Sequence, residues 1–395
     1  MAPIPRLKPY EGPALFSYGF RPFFLFGALY AGFAVVLWLT VYCGEITLHT
    51  AFMPRDWHIH EMLYGYVPAV VTGFLLTAIP NWTGRLPLQG GPLLVLVIGW
   101  GAGRLAVMLS GTIGWLPALV IDATFLPLVA AVAAREVVAG RNWRNLPVVG
   151  LVSLLAVGNI LFHLESHVSG GADYSTRAGI AVIVILITMI GGRIVPSFTR
   201  NWLVRENPGR LPAPLARFDM IVIAASAVAL LTWIAQPSAM TAGYALVAAG
   251  LLQLVRFSRW AGDRTLREPL VLILHLGYAF LPLGFLLTGL AAFDLIPAAS
   301  GIHAFAGAIG TMTLAVMTRA SLGHTGRALH ASVATQGIYA AIVLAALARV
   351  VATLVPEQTI ILIALAAVLW SAAFLGFVIV YGPIVCTPLN RGRSV

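Results

Sequence analysis

About twelve runs of roughly 20 apolar residues, separated by loops too short to hold a domain, constrain this chain more than any other feature. A helix crossing the ~30 Å hydrocarbon layer needs about that length. The runs fall near 19–43, 60–80, 92–110, 114–134, 147–167, 177–198, 217–236, 240–257, 269–291, 299–320, 332–354 and 359–384. Apolar residues make up 59% of the chain and charged ones 10%, and a water-soluble globule of this size could not cover such a composition with polar surface. The predicted fold is all-α: a polytopic membrane protein of about twelve transmembrane helices in the lipid bilayer, forming a single integral membrane domain over residues 1–395. The first run is too long for the apolar core of a signal peptide and is predicted to stay as helix 1.

Charge sets the expected sidedness. The formal net charge of +10 comes almost wholly from arginine. Arg85, Arg135, Arg141, Arg144, Arg200, Arg205, Arg210, Arg256, Arg259, Arg264, Arg327, Arg391 and Arg393 fall at the termini or in even-numbered loops. The odd-numbered loops hold only Arg55 and Arg177. By the positive-inside rule both termini are predicted to be cytoplasmic. Basic charge spread over short loops, rather than grouped on one domain, argues against nucleic acid as a partner. Cys43 and Cys386 fall at opposite ends of the expected topology and cannot pair, and no CxxC or CxxCH is present. A zinc ribbon, an iron–sulfur cluster or a covalently attached haem is therefore unsupported.

Short polar segments close helix 2 (Pro80-Asn81-Trp82-Thr83-Gly84-Arg85), helix 6 (Pro196-Ser197-Phe198-Thr199-Arg200-Asn201) and helix 10 (Gly323-His324-Thr325-Gly326-Arg327). Their equal spacing of four helices suggests three pseudo-repeated four-helix units.

The chemistry-bearing residues gather at the opposite side. His58, His60, His163, His167 and His303 come from three distant segments, yet the topology places all five near the outer face. Imidazole is the commonest metal ligand, and polar groups at membrane depth are costly unless they have a task. The convergence reads as a metal or haem site. His58 and His60 point about 200° apart on a helix and so serve different partners. Tyr64 lies one turn below His60, and Glu61 adds a carboxylate at the same depth. An interfacial aromatic cluster is the bland alternative. His163 and His167 stand at i, i+4, on one helix face where two imidazoles can meet one ion, and Asn159 lies one turn below them. A solvated helix end would also give that spacing. Below His303 come Gly307 and Gly310, which admit a neighbouring helix or a flat macrocycle. Arg104 and Asp122 belong to helices joined by the tight turn Gly111-Thr112-Ile113-Gly114 and are expected to pair. Arg349 is placed beside a haem propionate or snorkelling at the interface. His275, His324 and His330 lie toward the inner side, as structural or proton-handling groups. Walker A, GxGxxG, HExxH and GxSxG sequences are all missing, which leaves ATP-driven transport, dinucleotide chemistry and two hydrolase classes without their usual parts.

Four blocks carry a family likeness: Ser17-Tyr18-Gly19-Phe20-Arg21-Pro22-Phe23-Phe24, His58-Ile59-His60-Glu61-Met62-Leu63-Tyr64-Gly65, Gly192-Arg193-Ile194-Val195-Pro196-Ser197-Phe198-Thr199-Arg200-Asn201, and the run from Gly310 to Arg327. Together they closely resemble the NnrS family. The resemblance implies a bacterial inner-membrane protein of the nitric oxide and nitrosative stress response that contains haem b and copper. The helix count also resembles the catalytic subunit of haem–copper oxidases and nitric oxide reductases, which implies a haem held by His58 or His60 together with His303. This chain departs from that pattern in having no histidine in helix 6 or 7 and no adjacent His-His pair.

Three functional readings stand at this level. The first is a nitric oxide reductase-like oxidoreductase, with Glu61 and Tyr64 delivering protons, Arg349 and the histidines holding the cofactors, and a separate electron donor. The second is a non-catalytic haem-based sensor or buffer of nitric oxide. The third is a transporter of a metal or small anion.

Overall fold

Residues 10–388 are described by a computed structural model. The chain is 81% helical and, among the described residues, has no strands. Among the described residues, twelve helices are long and apolar enough to cross a membrane: α1 Phe20–Tyr42, α2 Pro54–Thr83, α3 Gly91–Met108, α4 Trp115–Ala139, α5 Trp143–Ser169, α6 Asp173–Glu206, α7 Arg217–Ala235, α8 Met240–Ser258, α9 Pro269–Ala292, α10 Ala299–His324, α11 Val333–Leu354 and α12 Pro356–Cys386. The predicted spans and the observed ones correspond one to one. The largest shifts are in α2, which starts six residues before the predicted run because Pro54 opens it and Asp56 lies in its first turn, and in α6, which at 34 residues is about 50 Å long.

Two membrane helices are interrupted, both where a proline follows four residues later. In α2 the segment Glu61–Tyr66 is a π turn between α-helical stretches. Pro68 has no N–H for the Tyr64 carbonyl, and its ring would clash with that carbonyl in a regular helix. The wide turn relieves the clash. The indole Nε1 of Trp100 then donates to the Gly65 carbonyl at 2.9 Å. In α4 the helix stops at Asp122 and resumes at Phe125, because Pro127 stands in the same relation to the Ala123 carbonyl. Both interruptions carry an acidic residue, Glu61 and Asp122.

Contacts divide the chain into two compact units. The first contains the described residues of Met1–Gly179, Met317–Ala328 and Phe377–Val395, and the second contains Ile180–Val316 and Leu329–Gly376. In the first unit, α5 turns one stripe inward, with Val152, Leu155, Ala156, Asn159, Phe162, His163 and Ser166 all buried. That is the 3.6-residue period of a helix with one packed face. Glu165 closes the turn into α6, accepting from the Tyr174 and Ser175 N–H groups, both at 2.8 Å.

In the second unit, small residues let α8 and α9 approach closely. A Cβ on Gly289 would lie 2.7 Å from Val247, and one on Gly243 would lie 2.5 Å from Phe293. A buried Arg256 joins α8 to α7 through Asp219 at 2.9 Å, and donates to the Thr188 carbonyl of α6 at 3.0 Å.

A candidate metal centre

The two interrupted helices bring their acids to one place, each about 10 Å in from the start of its helix. His60 and Glu61 come from α2, Arg104 from α3, Asp122 from α4, and Asn159 and His163 from α5. All are buried, Arg104 the least at 7% exposed. The Nδ1 of His60 lies 2.8 Å from Glu61 Oε1. Its Nε2 lies 2.9 Å from Asn159 Oδ1 and 3.3 Å from Asp122 Oδ2. That same Oδ2 is 3.1 Å from His163 Nε2 and accepts from Asn159 Nδ2 at 2.9 Å. Arg104 bridges the acids, donating to Glu61 Oε1 at 2.6 Å and to Asp122 Oδ1. Tyr30 of α1 donates to the second oxygen of Glu61.

Around this core stands an aromatic wall. The ring of Phe52 is centred 5.0 Å from those of both His60 and His163. Phe162 is 5.2 Å and Tyr64 5.6 Å from His60. Gly65 is required beside it, since a Cβ there would lie 2.4 Å from the Arg104 guanidinium.

Charge makes this arrangement demanding. Two carboxylates face one guanidinium, so the cluster calls for one more positive charge at a depth where an unpaired ion is expensive. One ligand atom each from His60, Asp122 and His163 lies within 4.8 Å of the others. Two imidazoles and a carboxylate suit a first-row transition metal ion.

The chain matches the profile of the family described as the NnrS protein over residues 14–388, nearly its whole length. It belongs to the NnrS family. This member is accordingly a multi-pass membrane protein of the nitric oxide response. No curated protein and no solved structure matches it.

The other expected site residues are distributed as follows in this NnrS-family protein. His58 points away from His60 and stacks on Trp38, with ring centroids 4.2 Å apart. His167 does not share a partner with His163. It is exposed and stacks on Trp115 at 3.9 Å, whereas His163 turns into the cluster. Tyr64 donates its hydroxyl to the Ser175 carbonyl at 2.8 Å. His303 and Arg349 belong to the second unit. There Ser300 and Thr353 are hydrogen-bonded at 2.7 Å, and a Cβ on Gly307 would lie 2.9 Å from Ala346. His303 and Arg349 fall between these two contacts, at one depth on neighbouring helices. The glycines below His303 face side chains, with Trp370 2.5 Å from a Cβ on Gly310, so helix packing accounts for them. His275 bonds Thr199 at 2.8 Å, and His324 stacks on Tyr18.

Three members of the cluster escaped the sequence reasoning. Arg104 and Asp122 pair as expected, but their place beside the histidines was not foreseen, and Tyr30 gave no signal at all.

Proposed function

We propose that this protein binds nitric oxide at a copper ion held inside the membrane by His60, Asp122 and His163. The observation that carries the reading is the convergence of these three ligand atoms within 4.8 Å in a cluster with one more carboxylate than guanidinium. Copper bound there would supply an open coordination position for a small neutral ligand.

The chain's own residues do the rest. Arg104 fixes Oδ1 of Asp122, which leaves Oδ2 facing both imidazoles. Asn159 holds the same oxygen, and Glu61 holds the His60 ring through Nδ1 with Nε2 turned toward Asp122, the kind of outer hydrogen bonding that sets ligand direction at metal centres. Phe52 and Phe162 exclude water. Nitric oxide dissolves in lipid, so a site without a hydrophilic channel suits it. Binding is favoured over reduction by the enclosure of a single-ion site, since reduction to N2O joins two molecules of nitric oxide. Of the two proton-delivery candidates, Glu61 contacts His60 directly, while the Tyr64 hydroxyl is engaged at Ser175.

A haem b forms a separate part of the proposal. It does not fit at His60, which is fully buried with four rings centred within 5.6 Å, an enclosure that takes a single ion and not a macrocycle. His303 and Arg349, an imidazole and a guanidinium at one depth, are the residues that would hold it. Metal analysis of detergent-purified protein, with optical and electron paramagnetic resonance spectra before and after nitric oxide, tests the reading. A copper signal that changes with nitric oxide is expected. Protein free of copper, or copper indifferent to nitric oxide, would overturn it, and N2O formation would replace binding by turnover.

A further inference from the structure

At the opposite end of the first unit from the metal centre, a groove of about 200 Å³ opens between α2 and α4. Leu76, Ile79 and Pro80 line it from α2, Val132 from α4, and Leu86, Pro87 and Leu88 from the following loop. From Leu76 to the end of α2 is seven residues, so the apolar wall runs about 10 Å into the membrane-spanning region. Arg85, Arg135 and Glu136 form the mouth.

The mouth is built rather than incidental. Glu136, only 13% exposed, receives Arg85 on one oxygen and Arg135 on the other. Two guanidiniums share one carboxylate, which leaves one positive charge uncompensated. Each guanidinium has five N–H donors. Arg85 reaches Glu136 through Nε, and Arg135 through Nε and one terminal nitrogen, so donors remain on both. The helix ends beneath are pinned. A Cβ on Gly140 would lie 2.6 Å from Thr83, and Asn142 Nδ2 donates to the Trp82 carbonyl at 2.5 Å.

We propose that this groove binds one anionic phospholipid, its phosphate on Arg85 and Arg135 and an acyl chain along Leu76, Ile79 and Val132. An apolar trough ending in net positive charge at a helix end matches a headgroup phosphate joined to hydrocarbon. It matches a free phosphate less well, because the trough would then be left without an occupant. The inference rests on residues separate from the metal centre.

Native mass spectrometry of the purified full chain, exchanged into phosphatidylglycerol or phosphatidylcholine, tests it. One phosphatidylglycerol should be retained per chain, about tenfold more tightly than phosphatidylcholine. Arg85→Gln with Arg135→Gln should abolish that preference. Val132→Trp, which fills the trough and keeps both arginines, should weaken both lipids and serves where the double variant fails to fold. Equal retention of the two lipids, complete displacement by millimolar inorganic phosphate, or unchanged binding in Val132→Trp would each overturn the proposal.

Discussion

Arg104 and Asp122 form an ion pair inside the apolar layer, and the same guanidinium holds Glu61 at 2.6 Å. One cation thus organises acids from two interrupted helices. Its loss would leave two buried carboxylates facing each other beside His60.

Replacing Asp122 by Asn should therefore act twice. It removes one carboxylate ligand and half of a buried pair, and breaking such pairs costs about 3–5 kcal/mol. Copper occupancy should fall at least about tenfold, and the thermal midpoint in detergent should drop. Wild-type copper content in this variant would exclude Asp122 as a ligand.

His163→Ala and His167→Ala should differ although the two residues are one turn apart. Only His163 reaches Asp122, at 3.1 Å, while His167 stacks on Trp115. Bound copper should be lost in the first variant and kept in the second. Equal loss would show that the helix end, not the cluster, carries the metal.

The second unit makes its own prediction. His303→Ala should remove the haem optical bands while the protein still inserts, and His60→Ala should leave them in place. The opposite result would move the haem to α2.

Gly65→Ala adds one carbon 2.4 Å from the Arg104 guanidinium. Overpacking of this kind costs about 1–3 kcal/mol. Thermal unfolding should register the loss, and the same substitution should cost less when made in an Arg104→Gln background, since the obstructing atoms are then gone. Additive losses in the double variant would show that the strain lies elsewhere.

Sidedness can be read with cysteines at Ser169 and Ser332, both exposed, in a chain with Cys43 and Cys386 replaced. In intact spheroplasts an impermeant maleimide should label position 169 and spare position 332, if arginine distribution orients the helices. The reverse pattern would put the metal centre toward the cytoplasm.

The spans were legible because apolar length is a strong signal and lipid forbids alternatives to helix. The pairing of Arg104 with Asp122 was legible too, since Gly111 to Gly114 allow only a tight turn between their helices. Their meeting with the histidines was not. It depends on the packing of α2 against α3, α4 and α5, and on a π turn that changes which residues share a face. Tyr30 lies on α1 with no polar neighbour in sequence to mark it. The pattern of an acid followed by a proline, Glu61 with Pro68 and Asp122 with Pro127, was present in the sequence and marks both interruptions.

The wide turn at Glu61–Tyr66 also separates two tasks within one helix. A π turn holds about one residue more than an α turn, so everything beyond it is rotated by about 100° relative to an unbroken helix. The stretch from Val67 onward can keep its phase against α1, where a Cβ on Gly73 would lie 2.7 Å from Phe24. The stretch before it keeps a different phase, aimed at α5. Deleting a single residue between 61 and 66 would leave the composition of α2 almost intact and its length adequate for the bilayer. It would nonetheless force one half to give up its partners, which makes the residue count here as binding a constraint as the identity of any side chain.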